Sequence, residues 1–255
     1  MAISDTARRN HDQLFPGYIS TLAVTDPELI EVFDNFTFDD VYQHSDLDIR
    51  TRLIVQLGAL IASGALGEYR IMLGAALTVG VTPVEAKEIV YQAVPYVGMG
   101  RVFDFIHATN NTLTDRGVPL PLDSQSTTTP DTRAELGRAV QEEIVGTERV
   151  SQMYAAAADD ERHFQQFLSA NCFGDHYTRN GLDVPTRELL TLAMLVALGG
   201  CDPQVRGHVA ANRNVGNTRE TLISVITALL PFVGYPRTLN ALAAINEIAP
   251  APQKG

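Results

Sequence analysis

Residues 39–60 read DDVYQHSDLDIRTRLIVQLGAL, and residues 174–195 read GDHYTRNGLDVPTRELLTLAML. Set one above the other, Asp40 meets Asp175 and Tyr42 meets Tyr177. Leu47-Asp48 meets Leu182-Asp183, and Thr51-Arg52 meets Thr186-Arg187, all at an offset of 135 residues. Further on, VPYVGMGR (94–101) meets LPFVGYPR (230–237) at an offset of 136. One residue is therefore inserted between the two blocks, in the turn near Gly64–Glu68 or Gly199–Gln204. So many matched pairs in one order mark an internal duplication. The chain is read as a first copy over 1–113, a linker over 114–132 and a second copy over 133–250.

Each copy reads as helices. In TRELLTLAMLVALGG (186–200) the apolar positions recur at three- and four-residue steps and then nearly all round, as in a central buried helix. Thr186 is a candidate cap, and Gly199-Gly200 ends the helix. CDPQ (201–204) reads as the next start, with Asp202 as N-cap and Pro203 in the first turn; that helix runs to about Asn214 before Gly216. In the first copy Thr82, Pro83 and Glu85 form a capping-box pattern. No stretch alternates convincingly with period two, so the fold class is all-α: two tandem helical repeats packed together. The linker is rich in Pro, Ser and Thr. RAELGRAVQEEIVG (133–146) opens the second copy as an amphipathic helix.

The net charge of −11 argues against non-specific binding to nucleic acid or to anionic membranes. The start, MAISDTARRNHDQ, has no apolar core of a signal peptide. The longest apolar run falls short of the roughly 20 residues that span a bilayer, so a cytoplasmic location is expected. Two cysteines, Cys172 and Cys201, make no disulfide framework. No cluster has metal-ligand spacing and no glycine-rich loop follows a strand, so no metal or nucleotide cofactor is expected.

The second copy resembles the carboxymuconolactone decarboxylase family, within the alkylhydroperoxidase-D-like superfamily. The resemblance rests on R-x-GLD-x-x-TRELLTLA (179–193), R-G-H-V-x-A (206–211), Gly216 and FVGYPRTLNAL (232–242). The first copy matches through LDIRTRLIVQLGAL, AALTVGVTPVEAKEIV and VPYVGMG. It implies an all-helical unit that assembles in threes or sixes. Single-copy decarboxylases of the family form hexamers, so a duplicated chain implies a homotrimer with pseudo-sixfold character.

In the peroxidase branch the helix that begins at Cys201 carries C-x-x-C-x-x-x-H; here the aligned residues are Cys201, Gln204 and His208. Disulfide catalysis needs a reactive thiolate and a second, resolving thiol, and Gln204 resolves nothing. The retained histidine without the cysteine pair is the decarboxylase pattern. The resemblance thus implies cofactor-free decarboxylation or proton transfer on a small acidic lactone or oxo-acid, with His208 as acid/base. Glu188, on the preceding helix, is placed to tune or relay its proton. Gln204 and Asn212 share a helix face with His208. Substrate carboxylates call for arginine, and Arg179 and Arg187 are the candidates of choice, with Arg206 and Arg213 behind them. Arg187 recurs as Arg52, which favours a structural role, whereas Arg179 is replaced by His44. Tyr235 is a candidate pocket wall. Two other readings stand beside this one: a thiol peroxidase working through Cys201, and a non-catalytic oligomeric binding protein. The first copy has Met72 where the second has His208, and Ala76 where it has Asn212. It is expected to be silent at that position, with Glu68 and Tyr69 facing a neighbouring pocket.

Overall fold

The computed structural model describes residues 2–252, and among them no strand forms. The first copy runs α1 (Asp5–Leu14), the single turn α2 (Leu22–Thr25), α3 (Pro27–Asn35), α4 (Ile49–Ser63), α5 (Leu66–Thr78), α6 (Pro83–Val97) and α7 (Met99–Asp115). The second runs α8 (Arg133–Val145), α9 (Thr147–Ala156), α10 (Arg162–Phe167), α11 (Val184–Leu198), α12 (Asp202–Asn214), α13 (Arg219–Val233) and α14 (Tyr235–Ile248). Helices α3 and α10 each continue into a widened π-type turn, Phe36–Asp40 and Leu168–Tyr177. Apart from the short turn of helix Val41–Gln43, which has no match in the second copy, each helix of the second copy is the counterpart of the helix seven places before it. Helix α7 runs two residues past position 113, so the linker begins at Arg116.

Capping explains where the helices begin. Asp48 and Asp183, matched in the repeat, accept hydrogen bonds from the first-turn amides of α4 and α11. Asp183, not Thr186, is therefore the cap of α11; Thr186 supplies the amide that Asp183 holds. Starting one turn earlier puts Pro185 in the first turn, where a missing N–H costs nothing. Asp202 is likewise the first residue of α12 rather than its cap, which is Cys201 with no side-chain hydrogen bond. The capping box of Thr82 and Glu85 forms as the sequence indicates. The inserted residue lies in the α11–α12 turn, where Gly199, Gly200 and Cys201 replace the pair Gly64-Ala65.

The core sits between the copies. Helices α4 and α11 are buried nearly all round, from Arg52 to Ala62 and from Arg187 to Ala197, and they pack on each other at the centre. Their approach depends on Gly58: a Cβ there would lie 2.3 Å from Leu190 Cδ1 and 3.5 Å from the Leu190 carbonyl oxygen. Helix α13 packs on α4, and α6 packs on α11. Each copy therefore lends one helix to the other's core, and this exchange positions the site. No helix is long and apolar enough to cross a membrane among the described residues.

Candidate active site

Two turns of helix bring the site together. Glu188 lies in the first half of α11, and His208 lies in the middle of α12, which packs against it. Asn212 locks the pair of helices: its amide donates to the Glu188 carbonyl at 3.0 Å and to the His208 carbonyl at 2.7 Å. Its own oxygen accepts from Asn217 at 2.8 Å. With the backbones fixed, His208 Nδ1 lies 2.8 Å from Glu188 Oε2. The carboxylate is fully buried, while the histidine side chain keeps 18% of its surface. The other carboxylate oxygen accepts from the Tyr177 hydroxyl at 2.6 Å.

This contact is one end of a longer chain of hydrogen bonds. Tyr177 also meets Thr191 Oγ1 at 2.9 Å, and the Tyr96 hydroxyl donates to Tyr177 at 3.1 Å. Cys172 closes the far end, its Sγ 3.6 Å from the Tyr96 hydroxyl. The Tyr96 ring stands edge-on to the His208 ring, with centroids 5.5 Å apart. Burial, with Glu188 close by, pushes the Tyr96 and Tyr177 phenols well above their ordinary range. The Cys172 thiol is pushed up to about 12, chiefly by burial. Both phenols and the thiol therefore hold their protons at neutral pH.

A second network lies alongside. Glu88 on α6 is buried and carries two arginines: Arg179 in a forked pair at 2.8–3.0 Å and Arg187 at 2.9 Å. Arg187 Nη1 donates to Gln92 Oε1 at 3.0 Å, and Gln92 Nε2 donates to Thr191 at 3.3 Å. That last contact joins the two networks. Arg187 spends its remaining donors on the carbonyls of Arg179, Asn180 and Leu182.

The structure therefore sorts the sequence candidates. Glu188, His208 and Asn212 converge. Arg187 does not serve as a substrate-binding group: it is wholly buried and every guanidinium nitrogen is bonded inside the protein. Its recurrence as Arg52 marked this outcome. Asn212 is likewise buried and fully engaged, so it positions the pair rather than meeting a ligand. Arg179 is committed to Glu88 and lines a cavity of about 490 Å³ with Lys87, Tyr91, Asn110 and the linker. Arg206 pairs with Glu247, and Arg213 with the Asn217 carbonyl. Gln204 is exposed, and Tyr235 keeps 60% of its surface at the start of α14. Within one chain neither joins the His208 cluster through any hydrogen bond described. Tyr69, expected to face a pocket, is buried and bonded to Thr109.

Cys201 is half-buried, and its thiol donates to the Leu195 carbonyl at 3.3 Å. Burial first and Asp202 second push its pKa up, which is the opposite of what a nucleophilic thiol needs. Cys172 packs in a separate cluster with Ile144, Phe173 and Tyr177. No resolving partner stands beside Cys201.

Sequence reasoning missed Tyr177, Thr191, Tyr96, Gln92 and Glu88. A signal for three of them was present: Glu88, Gln92 and Tyr96 follow at steps of four on one face of α6. Their counterparts, Ser224, Ala228 and Phe232, are small or apolar.

Comparison with known proteins agrees with the duplication. The model of the carboxymuconolactone decarboxylase family matches residues 27–111 and again 162–247, more than half of the chain. The 4-carboxymuconolactone decarboxylase of Acinetobacter baylyi is 32% identical over 116 residues, which take in 46% of this chain and 86% of that protein. A relative matched almost whole by less than half of this chain is what a duplicated unit requires. With both copies matched in order, the chain is a tandem two-copy member of the carboxymuconolactone decarboxylase family.

Proposed function

We propose that the protein is a carboxy-lyase of the 4-carboxymuconolactone decarboxylase type, acting without a cofactor on a small acidic lactone or a related oxo-acid. The observation that carries this is the buried Tyr177–Glu188–His208 chain. Two donors converge on the Glu188 carboxylate, and the histidine end alone reaches the surface. Holding Nδ1–H on Glu188 leaves Nε2 as the ring nitrogen that exchanges a proton with substrate. When the C–CO₂⁻ bond of a carboxylated unsaturated lactone breaks, its electron pair passes into the ring, with the lactone carbonyl as sink. Carbon dioxide leaves, and a proton must then be delivered to carbon. A histidine backed by a carboxylate delivers it and is recharged by solvent. The edge of Tyr96, from the first copy, fixes the ring's orientation. The second copy of each chain thus supplies the acid/base, and the first supplies part of its wall.

The test is decarboxylation of γ-carboxymuconolactone followed by ultraviolet absorbance, with wild type beside His208→Ala. Turnover by wild type and a loss of about a hundredfold or more in the variant is expected, the usual scale for a general acid/base. A correctly folded wild type with no turnover ends the literal decarboxylase reading. Cys201→Ser, run in parallel, is expected to leave turnover unchanged; its loss would favour the thiol reading instead.

We further propose a homotrimer. Large apolar residues stay exposed in matched pairs: Leu29 with Phe164, Val32 with Phe167, Met99 with Tyr235 and Phe103 with Leu239. The same face left uncovered in both copies is what a ring with pseudo-sixfold symmetry would bury. Light scattering during gel filtration should give three times the 27.7 kDa chain mass. A monomer mass would remove this proposal and leave the site reading intact.

A further inference from the structure

The first copy lacks the histidine, and a cavity opens at that position. Met72, the counterpart of His208, and Phe232, the counterpart of Tyr96, line a cavity of about 410 Å³. Its size suits a small organic molecule. Helices α1, α3 and α5 and the end of α13 form its walls, so both copies contribute.

Its chemistry differs from that of the His208 site. Five aromatic rings line it: Phe15, Tyr18, Phe33, Phe38 and Phe232. They form connected groups, with Phe15 6.0 Å from Tyr18 and 6.2 Å from Phe38, and Phe33 6.2 Å from Phe232. Two carboxylates, Asp34 and Glu68, share the wall, and neither lysine nor arginine does. Glu68 has no hydrogen-bond or ion-pair partner among the described residues, and Asp34 has only the nearby His11 ring to offset its charge, although both are half-buried. His11 also lines the wall, its ring packed on Phe15 at 5.1 Å and Phe38 at 5.3 Å. A half-buried carboxylate without a partner carries a desolvation cost that a bound cation would offset. Aromatic faces attract the same charge, most strongly where water is excluded.

We infer that this cavity is a binding site for an organic ammonium ion bearing apolar substituents, held by the aromatic rings and by the carboxylates of Glu68 and Asp34. Burial raises the pKa of both carboxyl groups, and His11 offsets part of that rise at Asp34. An acidic lactone, the substrate class proposed for the second copy, is repelled by the same wall. The ammonium site stands without the decarboxylase reading; with that reading, the two copies serve ligands of opposite charge.

The experiment is isothermal titration calorimetry on the full-length protein. The probes are benzyltrimethylammonium and an uncharged analogue of similar shape, 2-methyl-1-phenylpropan-2-ol. Saturable binding of the ammonium ion, at least tenfold tighter than the alcohol, is expected. Glu68→Gln, nearly isosteric, should weaken the ammonium ion about tenfold and leave the alcohol unchanged. Phe232→Leu should weaken the ammonium ion with Glu68 intact. His208→Ala should leave both affinities alone, which separates this site from the proposed active site. Equal affinity for the two probes overturns the inference, since the cavity would then be merely apolar. So does the absence of saturable binding, which is also the result if a neighbouring chain fills the cavity beside Leu29.

Discussion

The same crossing of helices is built twice in this molecule, once around charge and once around hydrocarbon. In the second copy Glu188 and His208 meet between α11 and α12, with Tyr96 closing over them from the first copy. In the first copy the matching positions are Leu53, Met72 and Phe232. The exchange is coordinated. Glu188, His208 and Tyr96 are replaced together, since a buried carboxylate without its histidine would be a heavy penalty. Tyr42, the match of Tyr177, instead keeps a buried hydroxyl with no hydrogen-bond partner among the described residues. Packing survived the change because Leu, Met and Phe fill comparable volumes on the same backbone. On the proposed reading, the duplication separates two demands that a single copy must meet together, holding the fold and holding the chemistry.

The sharpest way to break this comparison is to write the first copy's residues into the second. Glu188→Leu with His208→Met is expected to cut turnover by about a hundredfold to ten-thousandfold. The fold should survive, because replacing both partners of a buried hydrogen bond by packed apolar groups of similar shape is often nearly neutral or stabilising. Thermal unfolding by circular dichroism checks the second half. A double variant that keeps its turnover would show that the polar crossing is not the site.

The paired arginines sharpen the comparison at the level of stability. Arg187 and Arg52 are matched and both buried, but only Arg187 has a carboxylate. Arg52 donates to the Ser45 carbonyl at 2.8 Å and lies 4.0 Å from the Tyr42 ring centroid, with two nitrogens unpartnered. At the place of Glu88 the other copy has Ser224, whose carbonyl accepts from Ser45 at 2.9 Å. Glu88→Ser would leave Arg187 and Arg179 without their anion and should cost about 3–5 kcal/mol. Arg52→Met should change stability by less than about 1 kcal/mol, or raise it, because no ion pair is lost. Urea midpoints of the two variants decide the matter. Similar losses in both would mean that the Glu88 network is not what holds the two copies together.

Much of this was legible in the chain itself. The duplication gave the helical class, the linker and the inserted residue in the α11–α12 turn. Caps and glycines placed most helix ends, and the errors at Thr186 and Asp202 were a matter of choosing between neighbouring capping residues. His208 and Glu188 were singled out by the family resemblance, and the structural character of Arg187 by its recurrence as Arg52. Tyr96 and Glu88 could not be placed, because their role depends on α6 of one copy packing across α11 of the other. No local periodicity reports that exchange. A register difference between the copies does hint at it: polar side chains at 88, 92 and 96 stand against Ser, Ala and Phe at 224, 228 and 232. The arginine clamp expected for substrate carboxylates was not found because a charge on a helix face does not say which buried carboxylate awaits it.

The smallest effect concerns the far end of the hydrogen-bonded chain, and it separates the copies by pH. Cys172 is held up to about 12 from an ordinary value of 9.0, and burial raises Tyr96 and Tyr177 from 10.0. From about pH 9 upward the unfolded chain gives up the Cys172 proton while the folded chain keeps it. The folded state then binds more protons, so stability falls as pH rises, by about 1.4 kcal/mol per pH unit for each such group. The loss continues until the folded thiol itself titrates, and the phenols join in above about pH 10. At the positions matching Cys172 and Tyr96 stand Thr37 of the first copy and Phe232 of the second, and neither ionises there. Cys172→Thr with Tyr96→Phe should therefore flatten the alkaline decline, recovering about 1–2 kcal/mol relative to wild type at pH 10 when both are referred to pH 7. Urea titrations at the two pH values measure it. An unchanged slope would mean that the thiol and phenol ionise in the folded protein as they do in the unfolded chain, and that water reaches the interior end of the Tyr177–Glu188–His208 chain.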